Sequence, residues 1–213
     1  MKLKLKKLRI ILRNTLISVW EYVIPIWKIS GLFKSIKSKE QLQNFIQERS
    51  AHVTQTTLYG YLKTRIGVKY IAMMEDEKFL KSINIAKWNI YMVALADCAF
   101  YVFSYLISEK NLKKNDCREI YLNIIEKEKN NGLNNEIFET GKKNFLQRLD
   151  NIDFHKYYLE DPFKQSGEAL YYWSPIADEL KSLDKKIVLN SISLKWGLIQ
   201  SEFKKVTKDL NFT

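Results

Sequence analysis

The stretch that decides the fold is residues 90–107, IYMVALADCAFYVFSYLI, in which Asp97 is the only charged side chain. A run of this length falls just short of the roughly 20 apolar residues that a bilayer-spanning helix needs. Lys87 and Trp88 precede it, a carboxylate interrupts it, and no second segment of the kind occurs. Together these features predict a central helix, apolar on every side because neighbouring helices cover every side. The prediction carries a condition: an ionised carboxylate in apolar surroundings needs a cation or hydrogen-bond donors, or it takes up a proton. Arg65, Lys63 and Lys87 are the candidate partners, in a tie between helices, with catalysis as the competing role for Asp97.

Outward from this segment the chain reads as helix after helix. Only 7 Gly and 3 Pro occur in 213 residues, fewer than sheets joined by tight turns require. Ser38 is placed to cap a helix three residues before Gln41, and Leu42, Phe45, Ile46, Val53, Tyr59 and Leu62 continue its period until Gly67. Asp116 is placed to cap a helix over 118–129 that buries Ile120, Tyr121, Ile124 and Ile125 and ends at Asn130, Asn131 and Gly132. Asn134 or Asn135 caps the next, with Ile137, Phe138, Phe145, Leu146 and Leu149 on its apolar face and Gly141 weakening its middle. Residues 150–175, with Pro162, Gly167 and Pro175, read as irregular. Pro175 suits the first turn of a long last helix carrying Ile176, Leu180, Leu183, Ile187, Ile199, Phe203, Val206 and Leu210. The expected fold is all-α: a single irregular helical bundle of about six to seven helices with a long C-terminal helix.

Charge divides the chain unevenly. The net +11 arises from 35 basic and 24 acidic residues, yet residues 1–39 hold ten basic residues against Glu21 alone, a local +9. Residues 40–213 are close to neutral and form the single helical domain; residues 1–39 form a basic amphipathic arm. In the arm, Leu8, Leu12, Leu16, Val19 and Val23 recur at helical spacing up to Pro25. Lys2, Lys4, Lys6, Lys7, Arg9 and Arg13 crowd the start of that segment, and Trp20, Tyr22 and Trp27 its end. Cations and amphipathic aromatics beside an apolar stripe suit a helix lying in a membrane interface, in contact with anionic headgroup phosphate. Arg13 and Glu21 argue against a spanning helix, and Arg9 and Arg13 break the apolar run that a signal peptide would need.

The body offers few groups for chemistry. The polar run QERSAHVTQTT at 47–57 and the segment YGYLKTRIGVKY at 59–70 supply a candidate polar site of Arg49, His52, Tyr59, Lys63 and Arg65, with Asp97. Cations among aromatics also hold phosphate and stack on bases, so RNA binding stays open as an alternative. His52 and His155 are the only histidines and show no ligand spacing, so no metal is expected. Glycine-rich phosphate loops and dinucleotide fingerprints are missing from the sequence, so no cofactor is expected either. Ser166 is followed by Gly167 but lacks the nucleophile-turn pattern of serine hydrolases. Cys98 and Cys117 stand apart and read as packing thiols of a reduced, cytoplasmic protein.

The segments QERSAHVTQTTLYGYLKTRIGVKY, EDEKFLKSINIAKW and LDKKIVLNSISLKW resemble a family of alphaproteobacterial proteins of about this length. The likeness runs from about residue 45 to about residue 200, and the YGYLKTR and SINIAKW blocks are its most specific parts. The resemblance implies a bacterial source. Some members carry an esterase label, but the family brings no catalytic residues to transfer onto this chain. The resulting expectation is a non-enzymatic helical adaptor or assembly factor, peripheral to the cytoplasmic side of the inner membrane, with anionic lipid and a possible protein as partners. A hydrolase with an esterase-like activity and an unfamiliar helical site is the alternative, and an RNA-binding protein the second.

Overall fold

The computed structural model describes residues 35–210, all of whose regular structure is helical. The Ser38 side chain accepts the Gln41 backbone N–H at 3.2 Å, and the Gln41 amide oxygen accepts the Lys37 N–H at 2.7 Å. With those orphan donors satisfied, helix α1 runs Lys39–Ile66. It ends where Gly67 takes φ 60°, a left-handed conformation that costs glycine little. Two short turns, Gly67–Lys69 and Tyr70–Met73, lead into α2, Glu77–Lys110, capped at its start by the Asp76 carboxylate and at its end by Asn111 in the left-handed region. Then follow α3, Lys114–Asn130, α4, Asn135–Asn151, α5, Lys164–Trp173, and α6, Asp178–Val206.

Helix α2 is the hub. It packs against α1, α3, α4, α5 and the turn Tyr157–Leu159, and from Ala94 to Ser104 every side chain is buried. This explains why residues 90–107 carry no polar stripe: there is no solvent side to face. Its most apolar 18-residue window has the composition of a membrane span, and 83% of that window is buried by the other helices. Aromatic rings fill the space around it. Tyr121 of α3 and Phe145 of α4 stack at 3.5 Å between centroids, and Phe100 of α2 lies 4.8 Å from the other side of Phe145. On the far side Phe163 stacks on Trp196 of α6 at 4.2 Å. Gly141 sits where α4 passes α2, and an added β-carbon there would meet the terminal methyl of Met92, a flexible side-chain end that can turn aside.

Four expectations fail in detail. Asp116 does not cap α3, which starts two residues earlier; its carboxylate instead binds Lys39 at 2.8 Å and ties α3 to the start of α1. The irregular region contains a ten-residue helix, α5, that begins just after Pro162. Pro175 lies before α6 rather than in its first turn, and the buried face of α6 is Val188, Ile192, Trp196, Ile199, Phe203 and Val206. Leu180, Leu183 and Ile187, expected inside, point outward because α6 carries two apolar stripes and the one with Trp196 meets α1 and α5. Phe145→Ala removes the ring held between Phe100 and Tyr121, and urea denaturation is expected to show a loss of about 3–5 kcal/mol, whereas Leu183→Ala on the outer stripe changes stability little.

Candidate functional site

Asp97 sits fully buried at the middle of α2, and the structure gives it a partner the sequence did not point to. Arg148 of α4 donates to Oδ1 at 2.9 Å, and Ser166 donates to Oδ2 through both its backbone N–H, at 2.8 Å, and its hydroxyl, at 2.7 Å. Tyr157 stands 3.5 Å from Oδ1 and gives its own proton to the Pro162 carbonyl. The expected partners Arg65, Lys63 and Lys87 are not involved. Ser166 is the third residue of α5, whose own cap position, Phe163, has no side chain to offer. Asp97 therefore caps α5 from another helix and lies at the positive end of its dipole. Burial pushes the Asp97 carboxyl up from the usual range, and Arg148 and Ser166 oppose that shift. Three donor contacts on the two oxygens, one of them from a guanidinium, mark the ionised form as the one this geometry accommodates.

The polar face of α1 resolves into two ties to α6. Arg49 forks onto Glu202 at 2.8 and 2.5 Å, with both side chains nearly buried, and its guanidinium lies 5.4 Å over the Phe45 ring. Four turns further on, Arg65 forks onto Asp184 at 2.6 and 2.9 Å, joined by the Tyr61 hydroxyl at 3.0 Å. Between the ties His52 is half-buried, and burial, with Lys195 and Arg49 nearby, lowers its pKa. Tyr59 packs on the core and Lys63 is exposed. The residues expected to form one polar site thus occupy several places: Arg49, His52 and Arg65 line the seam with α6, and Asp97 belongs to a separate network with Arg148 and Ser166. The arm residues Lys2, Lys4, Lys6, Lys7, Arg9, Arg13, Trp20 and Trp27 lie outside the described residues.

Cys98 and Cys117 are buried, and burial pushes each thiol up to about 12, away from nucleophilic chemistry at neutral pH. Among the described residues no three of His, Cys, Asp and Glu converge as a metal would require.

Two surface features do stand out. One is the outer stripe of α6, where Leu180, Leu183, Ile187, Leu194 and Leu198 are all exposed, the last four by 68–74%. The other is a basic pole where the chain leaves the arm. Ile36 donates its N–H to the Val206 carbonyl at 2.9 Å, and Lys110 donates to the Lys208 carbonyl at 2.8 Å. The start of α1, the end of α2, the start of α3 and the end of α6 therefore meet. Lys113, Lys114, Lys204, Lys205 and Lys208 stand exposed there beside Lys37, with Glu109 and Asp209 among them and Lys39 already paired to Asp116. The sequence signal for this pole was scattered over four segments. The chain matches no protein-family model, no curated protein and no solved structure.

Asp97→Ala leaves the buried side of the Arg148 charge without its carboxylate and the Ser166 N–H and hydroxyl without their acceptor, and is expected to cost about 3–5 kcal/mol in urea denaturation. Amide exchange should accelerate first in α5. His52 gives a pH dependence: its folded pKa lies below the free value, so the unfolded chain takes up the proton more readily. The stability that neutral His52 supports is complete above about pH 6.5 and fades as the pH falls from there toward the lower folded pKa. Thermal melts between pH 7.5 and 5 should show that slope shrinking in His52→Gln.

Proposed function

We propose that this protein is a non-enzymatic helical adaptor or assembly factor of a bacterial cytoplasm, held at the surface of the inner membrane by residues 1–39. The observation that carries the reading is the basic pole. The region with a net +9 joins the body at Ile36, against Val206, where Lys113, Lys114, Lys204, Lys205 and Lys208 are exposed. The point from which residues 1–34 extend is therefore itself ringed by body lysines, and clustered lysines near an anionic leaflet act together within a Debye length. The adaptor half of the reading is supported by the outer stripe of α6. Five exposed aliphatic side chains at three-, four- and seven-residue steps form the kind of face that helical partners cover. The polar residues on which an esterase-like reading would draw are engaged elsewhere, Arg49 and Arg65 with α6 and Asp97 with α4 and α5.

Vesicle sedimentation tests this. The full chain is expected to pellet with vesicles containing phosphatidylglycerol and not with pure phosphatidylcholine, and to be released as salt rises. Reversing three exposed lysines (Lys204→Glu, Lys205→Glu, Lys208→Glu) should weaken pelleting by tenfold or more, since each contributes about 1 kcal/mol near an anionic surface. Removing residues 1–34 should abolish it. Equal pelleting with neutral vesicles, or tight oligonucleotide binding without any vesicle binding, would sink the reading.

A further inference from the structure

Helix α6 packs on α1 and α5 through one side and turns its second apolar stripe to solvent. The spacing of that stripe is symmetric about its own middle, between Asn190 and Ser191, which are both exposed. Ile187 and Leu194 stand three residues outward from them on either side, and Leu183 and Leu198 four residues beyond those. Leu180 and Ser201 follow at three more. At 3.6 residues per turn these positions share one face, within an arc of roughly 100°. A face whose side chains recur in mirrored order is complementary to itself when a second copy is laid on it in the opposite direction. Leu183 then meets Leu198 of the second copy, Ile187 meets Leu194, and Asn190 meets Ser191 at the two-fold axis. The polar pair at the centre of an apolar seam fixes the register, because a shift by one turn would set Asn190 against Leu194.

The charges that border the stripe are ordered to match. Along one border Glu179 stands near the start and Lys204 near the end; along the other lie Asp184 and Lys195. With the two copies antiparallel, Glu179 of one comes within about 3 Å along the axis of Lys204 of the other, and Lys195 comes as near to Asp184. Opposite signs therefore meet on both borders. Lys186, on the first border, falls opposite Ser193 rather than another cation, and Glu202 is committed to Arg49 of its own chain. With the copies parallel, Glu179 would meet Glu179, Lys204 would meet Lys204, and the two basic poles would stand side by side. Charge selects the antiparallel pair.

We propose that the outer stripe of α6 is a dimer interface of this protein, closed by α6 of a second copy in antiparallel register about Asn190 and Ser191. The inference rests on the adaptor reading only in taking the stripe as a docking face, and does not rest on membrane attachment. A single helix pair lies at the small end of specific interfaces, so the affinity expected is micromolar rather than nanomolar.

Sedimentation velocity of the full chain in vesicle-free buffer decides it, with a reversible monomer–dimer equilibrium expected between about 1 and 100 µM. Leu194→Glu sets a carboxylate against Ile187 of the second copy, twice per dimer, and should weaken association about tenfold or more. Because Leu194 is exposed in the single chain, the melting temperature of dilute Leu194→Glu should equal that of the parent. Glu179→Lys and Lys204→Glu should each weaken the dimer, and the two together should restore it. Cross-linking reads the register, since the native thiols Cys98 and Cys117 are buried. Mild oxidation should join Leu183→Cys to Leu198→Cys in a mixture and leave Leu183→Cys alone unlinked. A chain monomeric throughout that range, a dimer untouched by Leu194→Glu, no restoration by the charge exchange, or Leu183→Cys linking to itself would each overturn the pairing. A clearly lower melting temperature for dilute Leu194→Glu would place another segment of the same chain on the stripe and overturn it as well. Vesicle pelleting is a separate readout, so either proposal can fail while the other stands.

Discussion

The structure depends on a single buried carboxylate and the donors gathered around it. A helix enclosed on all sides has no use for polar residues, and α2 excludes them from Ala94 to Ser104 except for Asp97 and Ser104. Asp97 reaches α4 through Arg148, α5 through the Ser166 N–H and hydroxyl, and the turn before α5 through Tyr157. Ser104 does a related task two turns on, donating to the Phe154 carbonyl and accepting the Tyr158 N–H. Ten residues make a helix that is marginal alone, so α5 persists because the Ser166 N–H meets Asp97 and its apolar face meets α2 and α6. Such an arrangement adds little net energy over apolar packing, but removal of one member strands the rest.

Register between α1 and α6 is set by the same logic nearer the surface. Arg49 meets Glu202 and Arg65 meets Asp184, so sixteen residues along α1 correspond to eighteen in the opposite direction along α6. A sliding movement by one turn would break both forks together and leave four partly buried charges unpaired. Bidentate arginine pairs specify geometry in a way that lysine pairs do not, and both ties use arginine.

This pattern explains what could be read from the sequence and what could not. Apolar periodicity marked α1, α3 and α4, and the unbroken run at 90–107 marked α2, because each reports one local rule. Capping by Ser38 and Asn134 was legible for the same reason. The partner of Asp97 was not: physics states that a buried carboxylate needs donors but not which ones, and Arg148 lies 51 residues away. Helix α5 stayed hidden because its cap is supplied by Asp97, 69 residues upstream of Ser166. Helix α6 misled because it has two apolar stripes, and only the packing with α1 and α5 selects the one with Trp196. In α1 the polar run 47–57 looked like one site, but a helix distributes such a run around its whole circumference. Arg49 went to α6, Thr54 to the buried side, and Ser50 back to its own helix.

The two surface features lie on one helix and point in different directions. Helix α6 is 29 residues, roughly 44 Å long at 1.5 Å per residue. Its basic end, Lys204 to Lys208, is at the pole where the arm joins, while the exposed stripe from Leu180 to Leu198 runs along the flank toward the opposite end. On the proposed reading this separation has a consequence. Cations at the pole placed against anionic headgroups would set the pole against the bilayer and leave the flank clear of it. The apolar stripe would then face sideways, parallel to the plane of the membrane, at the height where the cytoplasmic part of a membrane-bound protein would stand. A stripe that served lipid directly would need its lysines ranged along it, but Leu180, Leu183 and Ile187 lie beside Asp178, Glu179 and Asp184 as well as Lys185 and Lys186. That mixed border suits a protein surface with charges of both signs better than it suits a uniformly anionic leaflet.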